Sequence, residues 1–278
     1  MFGALLVIFA EFFHEVSTSI GKHEIAEKHE SPFTFAALSL LASFLFFFIL
    51  VVFVRQELLF SVASIPTFTL RLILEIFLIH FGLKGVALAS RSTFGFLSTL
   101  TIPLLLVVDF FVGYSLSFQN IIGVVVILFA LAFLTFNHGI GRKGIWYVIL
   151  TSVLAVGTVS LFKYNITHFN SVEAEQMIFM GLLAIYFLIT AKFIASENPI
   201  KFLKKKIILS QSLSSGVGTV LESFAYLFAP PSIVISIKRS ARILWTVIFG
   251  NLYFKEKHIA IKLTGFILFV IALFLLTT

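Results

Sequence analysis

The chain has 278 residues, of which 59% are hydrophobic and only 12% are charged. Soluble domains are about 45–50% apolar and about 25% charged, so a soluble core of this length could not bury this much apolar surface. The chain lacks cysteine, which excludes disulfides, thiolate catalysis and cysteine-based metal sites. Because no dense basic soluble domain is present, the net charge of +7 predicts contact with anionic membrane lipids and no nucleic-acid partner.

Ten apolar segments follow one another along the chain, each near the roughly 20 residues that a membrane-spanning helix needs. They cover residues 3–20, 33–54, 66–83, 92–112, 118–136, 144–164, 174–194, 207–227, 232–254 and 259–277. The connections are short, and no soluble domain is inserted. The sequence therefore predicts an all-α integral membrane protein with ten transmembrane helices.

The longest polar stretches, residues 21–31 and 196–206, follow the first and the seventh of these segments. The first stretch contains His23, Glu24 and His29, but not the two histidines separated by three residues that a zinc-protease helix requires. We therefore predict a solvated, charged extension of the first helix at the membrane interface, and no metal site.

The two halves of the chain carry matching non-apolar residues at a constant offset. At an offset of 142 positions, Ala87 matches Ala229, Ser90 matches Ser232, Ser98 matches Ser240 and Gly123 matches Gly265. Because each half has five helices, an odd number, the second half must enter the membrane from the opposite side. We therefore predict two inverted five-helix repeats, residues 1–136 and 144–278, joined by a linker at 137–143, an arrangement typical of transporters.

The C-terminal part of the chain carries motifs that resemble a known family. They are Ala229-Pro230-Pro231-Ser232, Ser236-Ile237-Lys238-Arg239-Ser240 and Thr264-Gly265, with a degenerate copy from Ala87 to Gly123. On these residues and on its ten spans, the chain resembles the EamA-like families of the drug/metabolite transporter superfamily. The resemblance implies transport through a central cavity walled by the non-terminal helices of each half, but no particular substrate.

The resemblance and the loop charges predict opposite orientations. The family places both termini in the cytoplasm, whereas the surplus of lysine and arginine in the odd-numbered loops favours termini outside. The pair Lys238-Arg239 also resembles a phosphate-binding pair in plastid phosphate translocators. Those proteins use a further lysine in the fourth helix, where this sequence has Phe96 and Leu97, so phosphate-ester transport is not predicted.

Charged residues at bilayer depth are costly and usually face partners or water. In the first helix, Glu11, His14 and Glu15 share one face, because they are three and four residues apart. Two carboxylates one turn apart with a histidine between them could share protons and couple transport to a proton gradient. The alternative is that the acids pair with basic residues on helices four or nine.

The third helix carries Arg71 and Glu75 at a spacing that favours mutual neutralisation, although either could bind substrate. One turn further on, His80 matches Glu222 at the repeat offset. Two titratable residues at equivalent positions are candidates for the walls of a cavity. The alternative for His80 is a structural hydrogen bond to the backbone.

The eighth and ninth helices contribute the remaining candidates. On the eighth, Gln211 and Glu222 lie on one face with small residues that allow close helix approach. On the ninth, Lys238, Arg239 and Arg242 could bind a carboxylate or phosphate, or could form a structural network with acids of the spans. Glu222 and Lys238 are predicted to lie at similar depths in the membrane, because they are similar distances from the adjacent ends of their helices. We therefore predict an ion pair between Glu222 and Lys238 or Arg239.

These observations predict a secondary transporter of a small polar or amphipathic metabolite, resident in the cell membrane (plasma or inner membrane) and able to function as a monomer. No nucleotide-binding motif is present, so a proton gradient or exchange would drive it. We predict no cofactor and no enzymatic activity. The alternative is a membrane-embedded enzyme or lipid-handling protein acting on lipid-linked substrates, although Asp109, the only aspartate, cannot form an Asp-rich metal motif.

Overall fold

Helices make up the computed structural model, which describes residues 2–112, 118–137, 140–228, 231–252 and 259–277, and no strand occurs within these ranges. The helices are α1 (Phe2–Ala26), α2 (Pro32–Ile49), α3 (Ile65–Leu88), α4 (Arg91–Ser98), α5 (Thr101–Val112), α6 (Phe118–Phe136), α7 (Ile145–His168), α8 (Val172–Phe193), α9 (Pro199–Phe202), α10 (Lys206–Phe228), α11 (Pro231–Leu252) and α12 (Ile259–Thr277). A π-helical turn, Leu50–Arg55, continues α2, and a 3₁₀ turn, Val62–Ser64, precedes α3.

Four helical segments are long and apolar enough to cross a membrane, namely Pro32–Arg55, Val62–Leu88, Ile145–His168 and Val172–Phe193. Large apolar side chains such as Phe53, Phe77 and Ile189 are exposed on their outer faces. Extensive exposed apolar surface of this kind marks contact with lipid or with another protein. By the length and composition of these helices, the chain is a membrane protein.

Local sequence explains where the helices begin. The hydroxyl oxygens of Ser31, Ser90 and Ser171 accept hydrogen bonds from the backbone N–H three residues later, at 3.1, 3.1 and 3.3 Å. Serine is a preferred residue at this position, because its side chain satisfies a backbone donor that the helix leaves free. The predicted extension of the first helix is confirmed, since α1 continues to Ala26, but the expectation that residues 21–31 are solvated is wrong for Glu24 and Glu30, which are 7% and 2% exposed.

The fourth predicted span, residues 92–112, is wrong as a single helix, because α4 ends at Ser98 and α5 begins at Thr101. Pro103 causes the break, since it lacks a backbone N–H and its ring clashes with the preceding turn of a helix. Short-range bonds replace the regular ladder here, with the backbone N–H of Leu100 donating to Leu97 and that of Ile102 to Thr99.

The helices pack in pairs around a centre. Helix α1 packs on α10 and α11, α2 on α8 and α10, α3 on α7, and α6 on α12. The largest apolar core lies where α4, α6, α11 and α12 meet, and it includes Phe96, Ile127, Leu134, Ile243 and Phe269. These pairs leave a polar space between α1, α3, α7, α10 and α11.

The contact between α1 and α10 depends on Gly218. A Cβ atom at this position would lie 2.9 Å from the carbonyl oxygen of Ala10 and 3.0 Å from the ring of His14. We expect Gly218→Ala to lower the free energy of unfolding by about 1–3 kcal/mol, because a backbone oxygen cannot move aside as a flexible side chain does. The measurement is the thermal unfolding midpoint in detergent.

The matched control for this substitution is Gly82→Ala on α3. A Cβ atom there would meet only the side chain of Thr151, at 3.8 Å, which is an ordinary contact. This control should be neutral or stabilising by up to about 1 kcal/mol, since alanine is the better helix former. Equal effects of the two substitutions would show that Gly218 is not required for the approach of α1 to α10.

Candidate functional site

A cavity of about 390 Å³ lies at the centre of the helices. Nine of the eleven candidate residues line it, and they come from α1, α3, α10 and α11: Glu11, His14, Glu15, Arg71, Glu75, Glu222, Lys238, Arg239 and Arg242. Ser39 and Ser43 of α2 and Thr158 of α7 also line it. The expectation that only non-terminal helices wall the cavity is wrong, because α1 and α7 both contribute side chains.

Glu11 is buried and neutralised by α11. The Nε and Nη2 atoms of Arg242 donate to its two carboxylate oxygens at 2.8 and 2.9 Å. The Nζ of Lys238 lies 3.9 Å from Oε1 of Glu11. This two-point bond fixes the orientation of both groups, because the planar guanidinium matches the carboxylate. The pairing of a first-helix acid with helix nine, which the sequence offered as the alternative to proton sharing, is therefore present.

Glu15 forms the second bond of this kind, with Arg91 at the start of α4. The Nε and Nη2 atoms of Arg91 donate to the two carboxylate oxygens at 3.0 and 2.8 Å, and Nη2 also donates to Thr18 at 2.7 Å. Glu15 is 4% exposed and Arg91 2% exposed. The alternative of pairing with helix four therefore holds for Glu15, and Arg91, which lies one residue before the predicted fourth span, is a buried residue of the cavity wall.

Glu222 and Lys238 form the predicted ion pair between α10 and α11. The Nε2 atom of His14 lies 3.2 Å from the other carboxylate oxygen of Glu222. The side chains of Glu11, His14 and Glu222 converge closely enough to hold a metal ion. Lys238 and Arg242 already neutralise the two carboxylates, so a metal ion here would face both positive charges at short range.

Arg71 does not pair with Glu75 as the spacing predicted. Its Nη1 atom donates to Glu175 of α8 at 2.8 Å, and its Nη2 atom to the side-chain oxygen of Gln176 at 3.2 Å. The guanidinium also stacks over the ring of Phe179, 3.6 Å from the centroid. Aromatic rings stabilise a buried cation through their negative faces. The position of Arg71 against Phe179 and Glu175 of α8 is therefore favoured over a pair with Glu75, one turn away on α3.

Two of the nine cavity candidates, Arg239 and Glu75, differ from the other seven because no ion pair holds them within the described ranges. Arg239 is 6% exposed, its Nη2 atom donates to Thr101 at 2.8 Å, and its Nε atom has no hydrogen-bond partner. No carboxylate lies within 4.0 Å of Arg239, and no basic group lies within 4.0 Å of Glu75 among the residues that the structure describes. Both side chains line the cavity.

His80 and Gln211 lie outside the cavity, so the expectation that His80 forms one of its walls is wrong, and Gln211 is not a cavity residue although it shares a helical face with Glu222. The Nε2 atom of His80 is 3.1 Å from the hydroxyl of Tyr186 on α8, and the ring packs against Phe33 and Phe187. Gln211 is fully buried near the beginning of α10. The repeat offset matched His80 to Glu222 in sequence, but only Glu222 reaches the cavity.

Glu175 and Gln176, which hold Arg71, are not among the candidates that the sequence pattern indicates. Both lie near the start of α8, next to the predicted boundary of a span at residue 174. Asn165 and Asn170 donate to Glu175 at 3.0 and 2.5 Å. The signal that could have found Glu175 was an acid at the first turn of a helix with two asparagines shortly before it.

Comparisons with known proteins leave the family open. No family model matches this chain, and no curated protein matches it. Two motif residues of the EamA-like resemblance, Ala229 and Pro230, lie outside the described residues. The same holds for the side chains of Asp109 and Asn251, which the repeat offset also matches. The assignment to this superfamily remains a proposal.

Proposed function

We propose that this protein is a secondary transporter, similar to the drug/metabolite transporter superfamily, that moves a small polar or amphipathic metabolite by alternating access. The observation that carries the proposal is the central cavity of about 390 Å³, lined by charged residues from both halves of the chain. Charges at bilayer depth are costly, and they are retained where they meet a partner, a substrate or water. A structural anchor has no need for such a cavity.

The packing of the helices supports ten spans in two inverted repeats, 1–136 and 144–278. In this arrangement α1, α2, α3 and α6 correspond to α7, α8, α10 and α12. If the two repeats are related by symmetry, the pair α1–α10 is equivalent to the pair α7–α3, and the pairs α2–α8 and α6–α12 are each equivalent to themselves. The two helices of each of these four pairs pack against each other, which is consistent with this symmetry. Helices α2 and α10 pack against each other extensively, whereas the equivalent pair, α8 and α3, are in contact over only a small area. Such an inequality is expected of a transporter open to one side.

The ion pairs indicate which groups are left for a substrate. Glu11, Glu15 and Glu222 each bind a basic residue, and Arg71 binds Glu175. Arg239 and Glu75 remain within the same cavity. A carboxylate or phosphate group would find charge-assisted hydrogen bonds at Arg239. An amino group on the same molecule would be attracted to Glu75.

The remaining features of the proposal follow from the sequence. Because the chain carries no nucleotide-binding motif, we propose a proton gradient or exchange as the energy source, with no cofactor. We also propose residence in the cell membrane (plasma or inner membrane). A single chain holds both repeats, so we propose that it functions as a monomer, in contact with membrane lipids. We propose no enzymatic reaction.

The test is the thermal stability of the purified protein in detergent against a panel of metabolites. The panel spans amino acids, organic cations, sugar phosphates, nucleotide sugars and hydrophobic amines. A compound present at about 100 times its Kd should stabilise the folded protein by roughly 2.7 kcal/mol. We expect the largest effect from a compound that carries an anionic group, and we expect it to exchange across proteoliposomes. No stabilisation across the panel would favour a protein that acts on lipid-linked substrates.

A further inference from the structure

A second group of buried polar side chains lies outside the central cavity, where the turn between α1 and α2 meets α10. Glu30 is 2% exposed, and neither of its carboxylate oxygens has a hydrogen-bond partner within the described part of the chain. Gln211 of α10 is 0% exposed and lies near enough to Glu30 for its amide to oppose the rise of the Glu30 pKa, although no atoms of the two side chains meet the distance and angle of a hydrogen bond. Both polar atoms of its amide also have no partner there.

The local backbone explains why an acid in a short turn becomes buried. Lys28 adopts a left-handed conformation with φ 57°, and the backbone N–H of His29 donates to the carbonyl of Glu24 at 2.8 Å, which ends α1 and reverses the chain. Ser31, the residue after Glu30, donates its backbone N–H to a carboxylate oxygen of Glu197 at 3.1 Å. These two contacts hold Glu30 against the beginning of α10.

The surroundings of Glu30 are mainly acidic. Glu24 of α1 and Glu197 before α9 both repel a negative charge on Glu30, and Lys205 before α10 attracts it. Lys205 is exposed and lies more than 4.0 Å from the carboxylate, so no ion pair forms between these two described residues. Burial, followed by repulsion from the neighbouring acids, raises the pKa of Glu30 to about 7.

Although the pattern of residues 21–31 predicted no metal site, we propose that Glu30 and Gln211 form a binding site for a small metal cation, held by carboxylate and amide oxygens. Oxygen ligands of this kind suit hard cations such as Na⁺, Mg²⁺ and Ca²⁺. A buried carboxylate without a partner is costly, and a bound cation removes that cost. Glu24 and Glu197 add negative charge that attracts the same ion. Gln211 supplies an uncharged oxygen from a helix that also carries the cavity residue Glu222.

The site is separate from the proposed substrate cavity. Gln211 precedes Glu222 by eleven positions on α10, which corresponds to about 16 Å along the helix axis. The cavity lining includes neither Glu30 nor Gln211. The cation site therefore does not depend on the proposed transport function, and a failure of one proposal would leave the other unchanged.

The experiment measures the thermal unfolding midpoint of the full chain in detergent at pH 8. The probes are NaCl, MgCl₂ and CaCl₂, each compared with choline chloride at equal ionic strength. We expect at least one of the three metal cations to raise the midpoint by about 3 °C or more when it is present well above its Kd. The effect should be lost in Glu30→Gln and reduced in Gln211→Leu. The control is Glu27→Gln, an exposed residue of the same turn, which should respond as the unmodified protein does.

The pH dependence provides a second measurement. Because the pKa of Glu30 is raised above its ordinary value, the folded protein holds this proton more tightly than the unfolded chain does. In choline chloride, stability should therefore fall as the pH rises from about 4.5 to 7 and stay low above that, and Glu30→Gln should flatten the fall. The metal cation should restore stability at pH 8 but not at pH 5, where the proton occupies Glu30.

Two results would overturn the proposal. One is a midpoint at pH 8 that is the same in all four salts, which would leave Glu30 as a group that only binds a proton. The other is an equal response to the metal cations in Glu30→Gln and in the unmodified protein, which would place any bound ion elsewhere.

Discussion

Replacement of Arg91 by methionine is expected to lower the free energy of unfolding by about 3–5 kcal/mol, because it leaves Glu15 buried without its cation. Arg91 makes two hydrogen bonds to Glu15 and one to Thr18, and all three join α4 to α1. Methionine fills similar volume but cannot neutralise the carboxylate. For a chain of this length, the loss corresponds to roughly 10 °C in the thermal unfolding midpoint.

A double substitution tests the cause of this loss. In Arg91→Met with Glu15→Leu, both charges are gone, and apolar groups of similar size often replace a buried ion pair with little loss or even a gain. We therefore expect the double variant to recover most of the stability. The control is Lys204→Met, an exposed residue between α9 and α10, which should change stability by no more than about 0.5 kcal/mol. A loss in Arg91→Met no larger than in this control would contradict the role given to the pair.

The surroundings of Arg91 show which features of the structure the sequence could predict and which it could not. The positions of the helices follow from apolar segment length, and the partners of Glu11, Glu15 and Glu222 follow from the need to neutralise buried acids. These predictions depend on quantities that a single sequence contains, namely hydropathy, spacing and charge balance. Arg91 itself was left one residue outside the predicted fourth span, 92–112, because a boundary drawn from hydropathy excludes a charged residue, whereas Arg91 is the first residue of α4 and is buried.

Other features could not be predicted because they depend on which helices meet. The spacing of Arg71 and Glu75 favours a pair on an isolated helix, but Glu175 and Phe179 of α8 offer Arg71 a drier and more complete environment. Gln211 shares a helical face with Glu222, yet it lies beyond the end of the cavity, whose first lining residue on α10 is Ser215, one turn further along the helix. A helical face indicates direction but not depth, and depth decides which residues line the cavity.

Replacement of Arg239 by methionine should have the opposite balance of effects, with a large loss of substrate binding and little loss of stability. Arg239 has no acidic partner within 4.0 Å among the described residues, so its removal leaves no buried carboxylate without a cation. It does lose one hydrogen bond from a charged group, to Thr101, which is worth about 1.5–3 kcal/mol, but it also removes the cost of burying a cation that has no acidic partner, so the net loss of stability stays small. A hydrogen bond from a charged group to a substrate contributes about 1.5–3 kcal/mol, so binding of the compound found in the metabolite panel should weaken roughly 10- to 100-fold.

Two further variants separate substrate binding from a structural role at this position. Arg242→Met removes the partner of Glu11, so it should destabilise the protein as Arg91→Met does. Arg239→Lys keeps the charge but loses the planar donor pair, so it should bind the compound with intermediate affinity. If Arg239→Met binds and exchanges the compound as the unmodified protein does, the substrate's anionic group lies elsewhere in the cavity. If Arg239→Met is instead destabilised as strongly as Arg242→Met, then Arg239 is part of the ion-pair network, and the cavity has no cation free for a substrate.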